Sequence, residues 1–154
     1  MTSINYDTIF ENFLGEITDY DFANLSMEES YSLMIEYLHK ALSETYFRRI
    51  FSIINLDDDA HLVSYEMVYS VDEDSDEEFV INTMVKGMVY AWSSKLVRSR
   101  DLTDYLLGTK ETKFYSQSAH LSELQNLRDS SYKEFRNAIQ DRGWIHNSYL
   151  GGAS

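Results

Sequence analysis

The stretch Lys113–Gly143, KFYSQSAHLSELQNLRDSSYKEFRNAIQDRG, decides how the rest of this chain is read. Leu121, Leu124, Leu127, Phe135 and Ile139 recur at a period of about 3.5 to 3.6, with Tyr132 and Ala138 filling in, so they share one stripe of a helix. Ser118 stands where an N-cap belongs, and Gly143 where a left-handed residue would close the helix. No catalytic group interrupts the pattern. The expectation is a long docking helix with Leu121, Leu124, Phe135 and Ile139 buried, which points to assembly rather than turnover.

The segments before it are patterned in the same way. Asn5 can cap a helix over Tyr6–Thr18, with Ile9, Phe10, Phe13, Leu14 and Ile17 on one side. Asp19–Leu25 reads as a connector that tucks Phe22 and Leu25 into the core. Ser26 and Glu29 form a capping box, predicting a second helix to about Phe47 with Tyr31, Met34, Ile35, Leu38, Ala41, Leu42 and Thr45 inward. The period then drops to two. Val63, Tyr65, Met67, Tyr69 and Val71 alternate with other residues, and the β-branched run Arg49–Leu56 supplies a partner across the turn Asp57–Ala60. A β-hairpin over about 49–71 follows, its apolar face packed on the helices or on a neighbouring subunit, or the hairpin added to a neighbour's sheet edge, with its acidic turn projecting into water.

A second capping box, Ser75 to Glu78, predicts a helix from Asp76 to Val97 with Phe79, Val80, Met84, Val85, Met88, Val89, Trp92 and Leu96 inside. Gly87 costs about 1 kcal/mol there relative to alanine, so it marks either a close helix crossing or a tolerated surface position. Asp101 can cap a short fourth helix ending near Gly108. The fold class expected is mainly α: a bundle of about four to five helices with one inserted β-hairpin, residues 1–154 forming a single domain with a short tail, 144–154.

Composition excludes more than it identifies. Twenty-two aromatic residues argue against disorder, and with no cysteine there is no disulfide or thiolate metal site. Acidic residues Asp7, Glu11 and Glu16 interrupt any early apolar run, so no secretory signal is expected. No window approaches the ~18 apolar residues of a membrane helix. The expected compartment is the cytoplasm or a particle assembled there. Net charge is −13, and it is polarised: residues 1–80 hold 19 acids against Lys40, Arg48 and Arg49, whereas residues 81–154 hold a slight basic excess. Such a field opposes general nucleic-acid binding and suits side-by-side packing of acidic on basic faces.

Candidate chemistry is sparse. The run Asp72–Glu78 lacks the glycine and distal glutamate of a calcium loop and suits a helix N-terminus instead. Asp57–Asp59 with His61 reads as a turn rather than a metal cluster. His39, His61, His120 and His146 have no metal-ligand spacing, and no nucleophile elbow or phosphate loop is present. No cofactor or metal is expected, and an enzyme would need carboxylates that no motif brings together. Lys95, Arg98 and Arg100 form the basic group of the middle of the chain. Helix-end electrostatics explains Lys95 and Arg98, and a patch docking an acidic neighbour is the alternative. Charge reversal at Lys95 and Arg98 is expected to weaken assembly more than reversal at Lys40.

Three stretches resemble small virion proteins of the head–tail junction of tailed bacteriophages, the neck, head-completion or head–tail connector proteins. They are Tyr6–Leu42 (YDTIFENFLGEITDYDFANLSMEESYSLMIEYLHKAL), Glu77–Asp129, which runs from EEFVINTMVKGMVYAW to SELQNLRD, and Ser130–Gln140 (SSYKEFRNAIQ). The region 48–76 is longer than such proteins lead one to expect. The resemblance implies a non-enzymatic homo-oligomer, a twelve-fold ring between portal and tail, made in the host cytoplasm and housed in the virion. Its partners would be the portal protein and other neck or tail proteins, with DNA only as non-specific channel content and no membrane. Candidate interface residues are Lys95, Arg98, Arg100, Tyr65, Met67, Tyr69, Trp144 and Tyr149. The alternative reading is an acidic inhibitor or DNA mimic that captures a basic host protein.

Overall fold

The Ser26 hydroxyl accepts the Glu29 N–H at 3.1 Å, and the Glu29 carboxylate accepts the Ser26 N–H at 3.1 Å. This reciprocal box starts a helix where the sequence places one. The computed structural model describes residues 1–17, 25–107 and 111–144, with the backbone alone for 100–107, 111–120 and 144. In chain order the elements are β1 (Thr2–Asn5), α1 (Tyr6–Glu16), α2 (Met27–Leu42), α3 (Thr45–Arg48), β2 (Phe51–Asp57), β3 (Leu62–Met67), α4 (Glu73–Leu107) and α5 (Glu111–Trp144). The protein is mainly helical, with one small antiparallel sheet. Phe22 of the expected connector lies outside the described residues, whereas Leu25 packs against the core.

Helix α2 stops at Leu42 rather than running on to Phe47. The Ser43 hydroxyl donates to the Lys40 carbonyl at 2.6 Å, and Glu44 turns extended at φ −67°, ψ 115°. Short polar side chains that bond their own backbone compete with helix propagation in this way. The break exposes Thr45 and lets Phe47 enter the core from α3, while Tyr37 joins the buried stripe of α2. Leu14 of α1 is exposed, although Ile9, Phe10 and Phe13 are buried as expected.

The hairpin exists, but it is the larger part of a three-stranded sheet in the order β1-β3-β2. The short strand β1 pairs with β3 from Thr2 opposite Tyr65 to Asn5 opposite Leu62. Val63, Tyr65 and Met67 face inward as the alternation predicts. Beyond Met67 the pattern fails: Tyr69 and Val71 are 60% and 51% exposed. There the chain leaves the sheet, because the Val71 N–H donates to the Asp76 carboxylate and the Tyr69 carbonyl accepts from Arg142. The acidic turn does not project freely either. Asp58 accepts from Tyr6 Oη at 2.6 Å and meets His39 Nε2 at 2.9 Å, tying the turn to α1 and α2.

Helix α4 is capped by Asp72, not by the expected Ser75–Glu78 box. Its carboxylate accepts both the Ser75 N–H at 2.8 Å and the Ser75 hydroxyl at 3.0 Å. The helix then runs through Asp101 to Leu107, merging the expected Asp76–Val97 helix with the short one expected after it. No glycine or proline lies between Met88 and Leu107 to stop it. Helix α5 likewise begins at Glu111, so Ser118 and Gly143 lie inside it rather than capping it. Its inward line is Ser131, Phe135, Ile139 and Arg142, with Leu121 and Leu124 half-buried. Leu127 and Tyr132 sit on the exposed flank, Tyr132 against the ring of Tyr90 at 5.0 Å.

Helix α4 packs against α5, α2 and α1 and so forms the axis of the fold. Gly87 makes the three-way contact of α4 with α2 and α5 fit. A Cβ there would lie 2.6 Å from the Ala41 Cβ and 3.0 Å from the Phe135 ring. Of the two readings of this glycine, the close crossing is the correct one.

Candidate functional site

Short helix α3 and the buried end of α5 shape one face of the molecule. On one side of α3, Tyr46, Ile50, Val68, Tyr69 and Ile139 line a largely apolar groove of about 370 Å³, with Arg142 at its edge. Three of these side chains remain well exposed: Tyr46 at 54%, Val68 at 47% and Tyr69 at 60%. Exposed apolar side chains gathered at one place mark a docking surface more often than singly scattered ones do. On the other side of α3, a polar pocket of about 340 Å³ opens between α2 and α4. The pair Arg136–Glu44, at 3.3 Å, stands between the two, with the Arg136 guanidinium 4.0 Å above the Tyr46 ring.

Lys40, Lys95 and Arg98 line the polar pocket, with Ser94 deep in its wall. The Ser94 hydroxyl is buried without a hydrogen-bond partner. Lys95 extends over the Tyr37 ring at 5.9 Å, and Lys40 pairs loosely with Glu36 at 3.2 Å within α2. Because α4 continues to Leu107, Lys95 and Arg98 are mid-helix residues, and the helix-end explanation for them falls. Lys40 lines the same pocket. Folding α2 onto α4 brings together cations 55 residues apart in sequence, which no local pattern could reveal.

The other expected interface residues divide. Tyr65 and Met67 are core side chains, 2% and 9% exposed, and cannot meet a partner, because their strand face is covered by the protein's own helices. Tyr69 is exposed and lines the groove. The side chains of Arg100 and Trp144, and the whole of Tyr149, lie outside what the structure describes. Sequence reading missed Tyr46, Ile50 and Val68; the apolar Val68 at an off-face position of the alternation was the available signal.

Two titratable networks tie the elements of the fold together. Asp76, buried at the start of α4, accepts from Ser70, from the Val71 N–H and from Arg142, whose guanidinium also lies 4.9 Å from the Phe79 ring. Burial works against its charge, yet these hydrogen bonds and the Arg142 charge hold its carboxyl below the ordinary range. In the second network burial likewise opposes the charge of Asp58, and hydrogen bonds from Tyr6 and His39 outweigh it. Burial and the Asp58 bond together push the Tyr6 hydroxyl far above its usual value. Tyr31 is pushed up to about 12 by burial and its bond to Asp7.

No group of three ligating side chains stands ready for a metal among the described residues. None of the described helices is long and apolar enough to cross a membrane. No protein-family model, curated protein or solved structure matches the chain.

Proposed function

We propose that this chain is a non-enzymatic structural subunit of a tailed-phage neck, docking beside copies of itself between the portal and the tail. The observation that supports it best is the docking face. A strongly acidic domain exposes three cations and an apolar groove on either side of α3, and its own core needs neither. The resemblance of the α1–α2 and α4–α5 segments to connector proteins gives that face its partners: the portal, other neck or tail proteins, and neighbouring subunits in a twelve-fold ring. DNA passes through such a ring as non-specific content, and acidic walls let it slide.

The test is electron microscopy of the protein mixed with the portal protein encoded beside it. A ring of extra density on the portal supports the reading; an unaltered portal at high protein excess defeats it.

A second reading draws on the first 80 residues, where 19 acids face three bases. An acidic inhibitor or DNA mimic would use that half to capture a basic host protein. It predicts a monomer or dimer that retains basic partners from host lysate and competes with DNA for them, and indifference to the portal.

A further inference from the structure

Ion pairs among the described residues include His39–Asp58, Lys40–Glu36, Arg128–Asp129, Arg136–Glu44 and Arg142–Asp76. Two charge sets on α4 stay outside this list. Asp74, Glu77 and Glu78 line a shallow acidic hollow beside Asn12 of α1, and no described cation meets them. Further along the helix, Lys95 and Arg98 face the α2–α4 pocket with no carboxylate partner among the described residues. Among the described residues Lys40 pairs with Glu36, an exposed contact within α2.

We propose that the α2–α4 pocket is a carboxylate-binding site, and that its occupant is the acidic start of α4, Asp74–Glu78, from a second copy of this chain. The proposal rests on the assembly reading above and names its contact. The pocket offers what a carboxylate pair needs: the Lys40 and Lys95 ammonium groups and the Arg98 guanidinium at its rim, with its own acid, Glu44, taken up by Arg136. The acidic start of α4 cannot reach the pocket of its own chain. Glu77 and Lys95 sit on one unbroken helix, about 27 Å apart at ~1.5 Å per residue. Nucleic-acid phosphate is the poorer occupant, because a net charge of −13 repels it at long range. Such a contact joins unlike patches, so copies close into a ring, extend as a filament, or satisfy both patches at once in an antiparallel dimer.

Polarity exchange tests this directly. Sedimentation velocity at low salt would compare the parent, K95E/R98E, D74K/E78K and a 1:1 mixture of the two variants, with thermal melts confirming that each is folded. Each variant alone should self-associate about tenfold more weakly or worse, since two ion pairs become repulsive. The mixture should recover association, because each reversed patch then meets its opposite. K133E alone, altered on the exposed face of α5, should self-associate as the parent does. Added salt should weaken the parental contact.

A parent that stays monomeric up to millimolar concentration overturns the assignment, as does undiminished association of K95E/R98E or a mixture that fails to recover. Particle size reports separately on the neck reading. Recovery as a closed dimer sinks the ring but keeps the pocket; a monomer that still adds a ring to the portal does the reverse.

Discussion

Arg142, in the last turn of α5, donates to Asp76 in the first turn of α4, and both side chains are only 7% exposed. The pair joins the two ends of the long helical hairpin and holds the strand exit at Tyr69–Val71 between them.

Removing one partner leaves a buried charge alone. Arg142→Met should therefore cost about 3–5 kcal/mol in urea unfolding, whereas removing both partners together, as in D76L/R142M, should cost markedly less. Equal losses for the single and double variants would show that the pair is not energetically coupled.

Acid should unfold the protein through two carboxylates. Asp58 and Asp76 are both held below the ordinary aspartate range in the folded chain. A depressed folded pKa gives stability that is fully present above the unfolded value, near 3.9, and is lost as pH falls through the folded one. The urea midpoint should stay level at neutral pH and drop below about pH 4. In Asp76→Asn that drop should be shallower. A midpoint that rises with acid in the parent would contradict the sign.

Tyr6→Phe should loosen the β2–β3 turn by roughly 1 kcal/mol, a hydrogen bond to a charged but half-exposed acceptor. Hydrogen exchange of Asp59 and Ala60 should quicken while the amides of α4 stay protected. Uniform quickening would mean that the bond supports the whole fold.

Gly87→Ala sets helix propensity against space. Alanine gains about 1 kcal/mol in a helix interior, but overpacking costs about 1–3 kcal/mol. Ala41 cannot rotate its Cβ away at 2.6 Å, so the second term should win and the variant should melt earlier. A stabilised variant would show that α2 and α4 separate freely.

Phe135→Ala should cost about 3–5 kcal/mol, and Leu127→Ala within about 0.5 kcal/mol. The first is 2% exposed and packs edge-on to Phe47; the second is 38% exposed. Similar losses would restore Leu127 to the buried stripe.

Wherever local periodicity and capping act alone, the sequence was a sufficient guide. The Ser26–Glu29 box, the core face of α2 and the inward alternation of Val63, Tyr65 and Met67 were all readable. Element ends were not, because tertiary contacts set them. Ser118 and Gly143 look like caps yet lie within α5, and Asp101 looks like a helix start inside α4. Strand β1 is four residues long and is specified only by its partner β3. The candidate site was half legible: Lys95 and Arg98 stand out by charge, whereas Lys40 joins them only through the α2–α4 packing that Gly87 permits.

The unbroken α4 also fixes a register. The capping contacts of Asp72, the crossing at Gly87 and the cations at Lys95 and Arg98 share a single rod whose pitch cannot stretch. Inserting one residue between Phe79 and Lys95 would turn everything beyond it by about 100° and shift it by ~1.5 Å. Trp92 and Val97 would swing out of the core as the basic side chains swung away from Lys40. Substitutions can retune this helix position by position, but its length between those points is a fixed dimension of the fold.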